Sequence, residues 1–150
     1  MKISAQEEYG IRCLIRIARK APGQSVTIPE ISRAEGISEH YVAKLLRILR
    51  RGALIKSARG QAGGYTLARP PDGINLGEAL AVLGGRLYEP AFCEQHPGNA
   101  AVCVNSIDCS LCPLWRSLQG AVDQVLGQAT LQSLLSRQPE IALRARDLLG

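Results

Sequence analysis

TIPEISRAEGISEHYVAKLLRILRRGALIKSARGQAGGYTL, residues 27–67, is the stretch that decides the fold. Thr27 can cap a short helix, IPEISRAE, with Glu30 three residues on completing a capping box. Gly36 stops that helix, Ile37 is placed to plug a core, and Ser38 can cap the next helix, EHYVAKLLRILRR. Val42, Leu45, Leu46 and Leu49 share the inner stripe of that helix, while His40, Lys44, Arg47 and Arg51 lie toward the other side. Gly52 stands where a left-handed C-terminal cap is expected. Leu54, Ile55 and Lys56 then read as a strand, Gly60 to Gly64 as its turn, and Tyr65, Thr66 and Leu67 as the returning strand. Two short helices joined by a tight turn, followed by a basic hairpin, spell a winged helix-turn-helix. The expected fold class is mainly α, with a small β-hairpin wing and a long dimerisation helix.

Upstream, Ile11, Leu14, Ile15 and Ala18 recur at helical spacing, so a helix is expected from about Ala5 to Lys20, ended by Pro22 and Gly23. The opening MKISAQEEYGIRCLIRIARK is broken by Glu7, Glu8, Arg12, Arg16 and Arg19 and does not read as a secretory signal. No run approaches the ~18 to 20 apolar residues needed to span a bilayer, so the expected location is the cytoplasm. The net charge of +5 is unevenly divided. Residues 1–69 carry 13 Lys and Arg against 5 Glu, whereas residues 70–150 carry 5 Arg against 8 acids. The basic half suits a polyanion. Aromatic residues, at 4%, are too few for the stacking platforms of single-strand and RNA binders, which leaves duplex DNA as the expected partner. Two histidines and scattered acids form no recognisable acid–base pair, so no enzyme is expected.

Downstream, Pro70 to Gly73 form a linker, and Asn75 can cap a helix over LGEALAVL. Pro113 suits the first turn of a further helix. Leu114, Leu118, Val122, Val125 and Ala129 make a narrow seam that a second copy of the chain would cover. The expected organisation is a DNA-binding domain over 1–83, a Cys-rich loop over 84–112, a dimerisation helix over 113–135 and a tail over 136–150.

Four of the five cysteines, Cys93, Cys103, Cys109 and Cys112, fall in FCEQHPGNAAVCVNSIDCSLCP. Stable disulfides are rare in a reducing cytosol, so clustered thiols there point to a metal. Only Cys109 and Cys112 form a short-spaced pair of the kind zinc uses. Iron–sulfur clusters accept looser spacing and often carry Cys followed by Pro, as at Cys112-Pro113. Spacing leaves both open, and a purely structural or redox thiol set stands as a third reading. His96 reads as incidental, and Cys13 as a core residue of the first helix.

The chain resembles the IscR/NsrR/RirA-type (Rrf) family of bacterial winged-helix iron–sulfur regulators. The resemblance rests on MKIS and the first helix, on ISEHYVAKLLRILRRGALIKSARGQAGGYTLAR, on INLGEAL, and on the Cys-rich loop before a long helix. It implies a homodimeric transcription factor whose operator binding is controlled by a [2Fe–2S] or [4Fe–4S] cluster sensing iron, redox state or nitric oxide. Cys93, Cys103 and Cys109 fall where the family places its cysteine ligands, although the first gap is longer than usual. Cys112 is a departure and the preferred fourth ligand; Glu8, where some members donate a carboxylate from the partner subunit, is the alternative. Ser38, His40, Tyr41 and Lys44 match the family's DNA-reading positions, as does Arg59 at the wing tip. The other readings are a zinc-stabilised regulator without redox sensing and an iron–sulfur cluster carrier.

Overall fold

A computed structural model describes residues 2–61 and 63–136. The helix-turn-helix forms as its local signals direct. Helix α1 (Ala5–Ala18) opens on a capping box between Ser4 and Glu7. Helix α2 (Ile28–Glu35) opens on the box between Thr27 and Glu30 and ends at Gly36 with φ 67°. Helix α3 (Glu39–Arg51) is capped by Ser38, whose hydroxyl accepts the Tyr41 N–H. Strands β1 (Ile55–Ser57) and β2 (Tyr65–Leu67) pair antiparallel, with Ile55 opposite Leu67 and Ser57 opposite Tyr65. Val26 bridges Tyr65 on the other edge, and the Ser25 hydroxyl donates to the Gly63 carbonyl at 2.7 Å. These contacts tie the wing to the turn before α2.

Gly52 does not adopt the left-handed conformation expected of it. Its φ is −76°, and Ala53 takes the positive φ, at 56°, instead. The glycine answers a packing need: a Cβ at position 52 would lie 2.5 Å from a methyl of Val82 on helix α4 (Leu76–Gly84). The end of α3 thus rests directly on α4.

A 3-10 turn at Pro71–Gly73 leads to Asn75, which does two jobs. Its Oδ1 accepts the Gly77 and Glu78 N–H groups and caps α4. Its Nδ2 donates to the carbonyls of Leu126, Gly127 and Ala129 at 3.0, 3.1 and 3.2 Å, closing the far end of helix α6 (Leu111–Gly127). The single helix expected over 113–135 is therefore two. It breaks after Gly127, and helix α7 (Leu131–Leu135), capped by Thr130, buries Leu131 in the main core. Leu14, Ile31, Leu45, Leu46, Leu49, Leu54 and Ile74 are among its fully buried members, as is Cys13, and Ile37 and Val42 join the core as expected. Of the α6 seam, Val122 and Val125 are half-buried, and Ala129 lies past the helix end. Leu114 and Leu118 are exposed, as are Leu111 and Trp115 beside them. Of the expected tail, residues 137–150 lie outside the described residues. No helix among the described residues is long and apolar enough to cross a membrane.

Candidate functional site

Two surfaces carry chemistry. The first is the exposed side of α3 with the wing. His40, Lys44, Arg47 and Arg51 form one exposed stripe, and Lys56 and Arg59 extend it onto the hairpin. Elsewhere in the basic half, Arg12 pairs with Glu8, Arg16 with Glu35, Lys20 with Glu30 and Arg69 with Glu78, while Lys2, Arg19 and Arg33 join no ion pair among the described residues. Lys44, Arg47, Arg51, Lys56 and Arg59 enter no ion pair among the described residues. Unpaired cations on one face form an electrostatic footprint for a phosphate backbone. Tyr41 is half-buried between two groups: its ring meets Tyr9 edge-on at 6.0 Å, and the Lys44 ammonium stands 5.6 Å from the ring centroid. Arg50 donates to the Ser57 hydroxyl at 3.2 Å and pins the wing base to α3.

The second surface is built on the entry to α6. After α4 the chain turns at Gly85, and Arg86 pairs with Asp123. The Tyr88 N–H donates to the Oε1 of Gln119, a buried residue of α6, at 2.9 Å. That seats Tyr88 with its hydroxyl 3.8 Å from the Cys93 sulfur on helix α5 (Ala91–Gln95). Residues 84–112, expected as loop throughout, thus hold this short helix and the start of α6. At that start the helix has no oxygen cap. The sulfur of Cys109 accepts the Cys112 N–H at 3.3 Å and stands where a capping side chain would.

Three sulfurs meet there. Cys112 Sγ lies 3.1 Å from Cys109 Sγ and 3.5 Å from Cys93 Sγ. The hydrogen bond from the Cys112 thiol, and then the Cys112 backbone N–H, hold the Cys109 thiol below its ordinary range. Cys112 is pushed up to about 11, first by its bond to Cys109 and then by its bond to Cys93. Tyr88 rises to about 12, chiefly through its bond to Cys93. The Cys112 thiol thus donates toward the Cys109 sulfur.

Of the residues singled out in the sequence, the structure brings Cys93, Cys109 and Cys112 into contact and leaves Cys103 apart. Cys103 shares with Cys93 a cavity of about 220 Å³ also lined by Pro97, Val102 and Ser106. Glu8 is exposed on α1 and bound to Arg12, and takes no part in the sulfur contacts. His96 stacks on Phe92 at 4.3 Å. Tyr88 and Gln119 were not legible in the sequence, because neither belongs to a motif and the contact between them spans 31 residues. The donor set suits a soft metal or a cluster. Tetrahedral ligands with ~2.3 Å metal–sulfur bonds stand about 3.8 Å apart. The two sulfur gaps would therefore open by roughly 0.7 and 0.3 Å around a common ion. Among the described residues, no three His, Cys, Asp or Glu side chains already surround one ion position.

The family described as Rrf2, "Iron-dependent Transcriptional regulator", matches residues 3–137. This chain belongs to the Rrf2 family. It is 33% identical over 137 residues to the HTH-type transcriptional regulator CymR of Bacillus subtilis, covering 91% of each chain. To IscR of Escherichia coli it is 26% identical over 146 residues, which is 97% of this chain and 87% of IscR. The solved structure of CymR, called the global cysteine regulator of B. subtilis, superposes with a TM-score of 0.72 at 30% identity, covering 92% of this chain and 98% of that one. The T. potens IscR structure gives 0.70 at 28%, covering 91% and 87%. The Rrf2-family chain is a winged-helix transcriptional regulator that binds DNA, and it is not an enzyme. The expected wing, helix-turn-helix and family resemblance all hold.

Proposed function

We propose that this regulator acts in the cytoplasm as a homodimer and that an iron–sulfur cluster on its cysteine segment sets its affinity for an operator. The observation that carries the reading is the meeting of three sulfurs, from α5, from α6 and from Cys109 just ahead of α6, beside the exposed apolar face of α6. Cys93, Cys109 and Cys112 would hold the cluster, with Cys103 drawn in from the adjoining loop; Glu8 supplied by the partner copy is the alternative to Cys112 as the fourth ligand. A bound cluster, [2Fe–2S] or [4Fe–4S], would supply a link that iron shortage, oxidants or nitric oxide can break.

What the chain's own residues do is transmit and read. Cys112 sits in the first turn of α6, and Asn75 clasps the other end of that helix to α4. Val82 of α4 packs on Gly52 at the end of α3. A shift of α6 between two positions thus has a continuous packed route to the DNA-reading helix, and ligand state biases the two positions. On the DNA, His40, Tyr41 and Lys44 face the major groove. Ser38 joins them through its hydroxyl proton, its oxygen being occupied as the cap. Arg59 enters the neighbouring minor groove. The unpaired cation stripe favours a regulator over a cluster carrier.

Zinc is the second reading, favoured by one feature: Cys109 and Cys112 have CxxC spacing and an N–H to sulfur bond across the pair. The test is substitution. Under the cluster reading with Cys112 as ligand, Cys112→Ala loses the cluster, read as iron and acid-labile sulfide, or makes it labile, and Glu8→Ala leaves it intact. The reverse pattern moves the ligand to Glu8, and stoichiometric zinc without sulfide replaces the cluster reading.

A further inference from the structure

We propose that Cys109 and Cys112 form a reversible disulfide when a hydroperoxide meets the metal-free chain, so that oxidation withdraws two of the three gathered sulfurs from metal binding. This adds a covalent state of the protein to the metal centre proposed above, and it holds whichever metal that centre takes.

The geometry selects the pair. The two sulfurs are 3.1 Å apart, and a disulfide bond is ~2.05 Å long, so closure needs a movement of about 1 Å. Cys112 is fixed in the first turn of α6, and its own N–H holds the Cys109 sulfur at 3.3 Å. Closing a loop across three positions orders little additional chain. Cys93 is the competitor. Its sulfur is 3.5 Å from Cys112, but it rides on α5, which the Tyr88–Gln119 bond helps to seat against α6. A bridge to Cys93 would draw one element toward another. Cys103 has no sulfur neighbour within bonding reach among the described residues. Asp108, Ser110 and Leu111, around the pair, are exposed, so a small oxidant can approach.

The chemistry balances without a metal. The Cys109 thiolate attacks one peroxide oxygen, the O–O bond breaks, and hydroxide leaves, taking up a proton to become water. The sulfur becomes a sulfenic acid. Cys112 then attacks that sulfur, the S–O bond breaks, and a second water leaves with the Cys112 proton. Two thiols are oxidised by two electrons, and hydrogen peroxide is reduced to two waters. A dithiol reductant reverses the bond by exchange. In the disulfide form only Cys93 and Cys103 of this segment retain thiols, so reloading of metal waits for reduction.

The full-length chain, chelated free of metal without oxygen, is given one equivalent of hydrogen peroxide, alkylated and mapped by peptide mass spectrometry. The expected result is that Cys109 and Cys112 escape alkylation, their shared peptide loses two hydrogens, Cys93 and Cys103 alkylate fully, and dithiothreitol restores all four. Cys103→Ser should behave as the wild type, and Cys109→Ser should not protect Cys112. A bridge to Cys93 or Cys103, a bridge between chains, overoxidation to sulfinic acid alone, or continued alkylation of both residues overturns the proposal. Iron, sulfide and zinc analysis of the untreated chain, run in parallel, reports on the metal centre separately.

Discussion

Replacing Arg59 at the wing tip by Ala tests how the protein reads DNA. Lys44, Arg47, Arg51, Lys56 and Arg59 carry no acidic partner, so a dimer offers twice these five cations to phosphates. If all engage, the logarithm of affinity falls against the logarithm of salt concentration with a slope near −9. A residue that only touches phosphate removes two contacts per dimer when lost, flattening the slope by about 1.8 on every duplex alike. Lys56→Ala, on β1, should behave this way. Arg59 extends past the strand ends on a hairpin braced by Ser25 and Arg50, which suits insertion into a groove. A groove contact is worth ~1 to 3 kcal/mol, mainly at the cognate site. Two wings then give at least ~2 kcal/mol, or about thirtyfold. The assay is fluorescence anisotropy at several salt concentrations, on a pseudo-palindromic duplex selected from a random pool and on its scrambled version. Equal losses on both duplexes would reduce Arg59 to a phosphate contact, and no loss on either would remove the wing from the interface.

Three further outcomes follow from packing and charge. Burial, with the Glu35 carboxylate adding to it, pushes the Cys13 thiol from an ordinary 9.0 up to about 12. The unfolded chain gives up this proton above pH 9 while the folded chain keeps it. The Cys13 contribution should therefore be full below pH 9 and fall by about 1.4 kcal/mol per pH unit above it; in urea titrations under reducing conditions the Cys13→Ala slope should be shallower than the wild-type slope by that amount, Cys112 and Tyr88 contributing alike to both, and equal slopes would refute the burial argument. At the end of α3 two neighbouring substitutions should have opposite signs. Gly52→Ala drives a methyl into Val82 and should cost about 1 to 3 kcal/mol, while Ala53→Gly relieves a φ of 56° and should raise the melting temperature. Leu118→Glu, on the exposed face of α6, should shift the sedimentation coefficient from dimer to monomer with helix content retained, and an unchanged dimer would place the interface elsewhere.

The legible parts of the sequence were those whose chemistry is local. Thr27 with Glu30, Ser38 with Tyr41, and Asn75 with Glu78 each satisfy free helical N–H groups within three residues, so the starts of α2, α3 and α4 could be read from the chain directly. The same was true of the glycine-rich turn between β1 and β2. Contacts over long separations were illegible. Asn75 showed its capping role, but nothing in the sequence disclosed that its amide nitrogen would end α6 some fifty residues later, or that Leu131 would then return to the core. Gly52 illustrates how a correct feature can carry the wrong cause. A glycine after a basic helix suggests a left-handed cap, whereas its partner is a side chain on another helix, Val82. At the sulfurs, the spacing marked Cys112 as unusual, and the structure puts it at the centre of the three. Tyr88 and Gln119, which seat Cys93, left no periodic or motif signal.

The most direct test of the metal-centre reading is elemental. The full-length chain is isolated without oxygen, and its iron, acid-labile sulfide and zinc are measured per chain alongside its visible absorption spectrum. A brown protein with iron and sulfide in equal amounts, both lost in Cys109→Ala, is the result the account predicts. Colourless protein carrying one zinc per chain, or no metal at all, would contradict it.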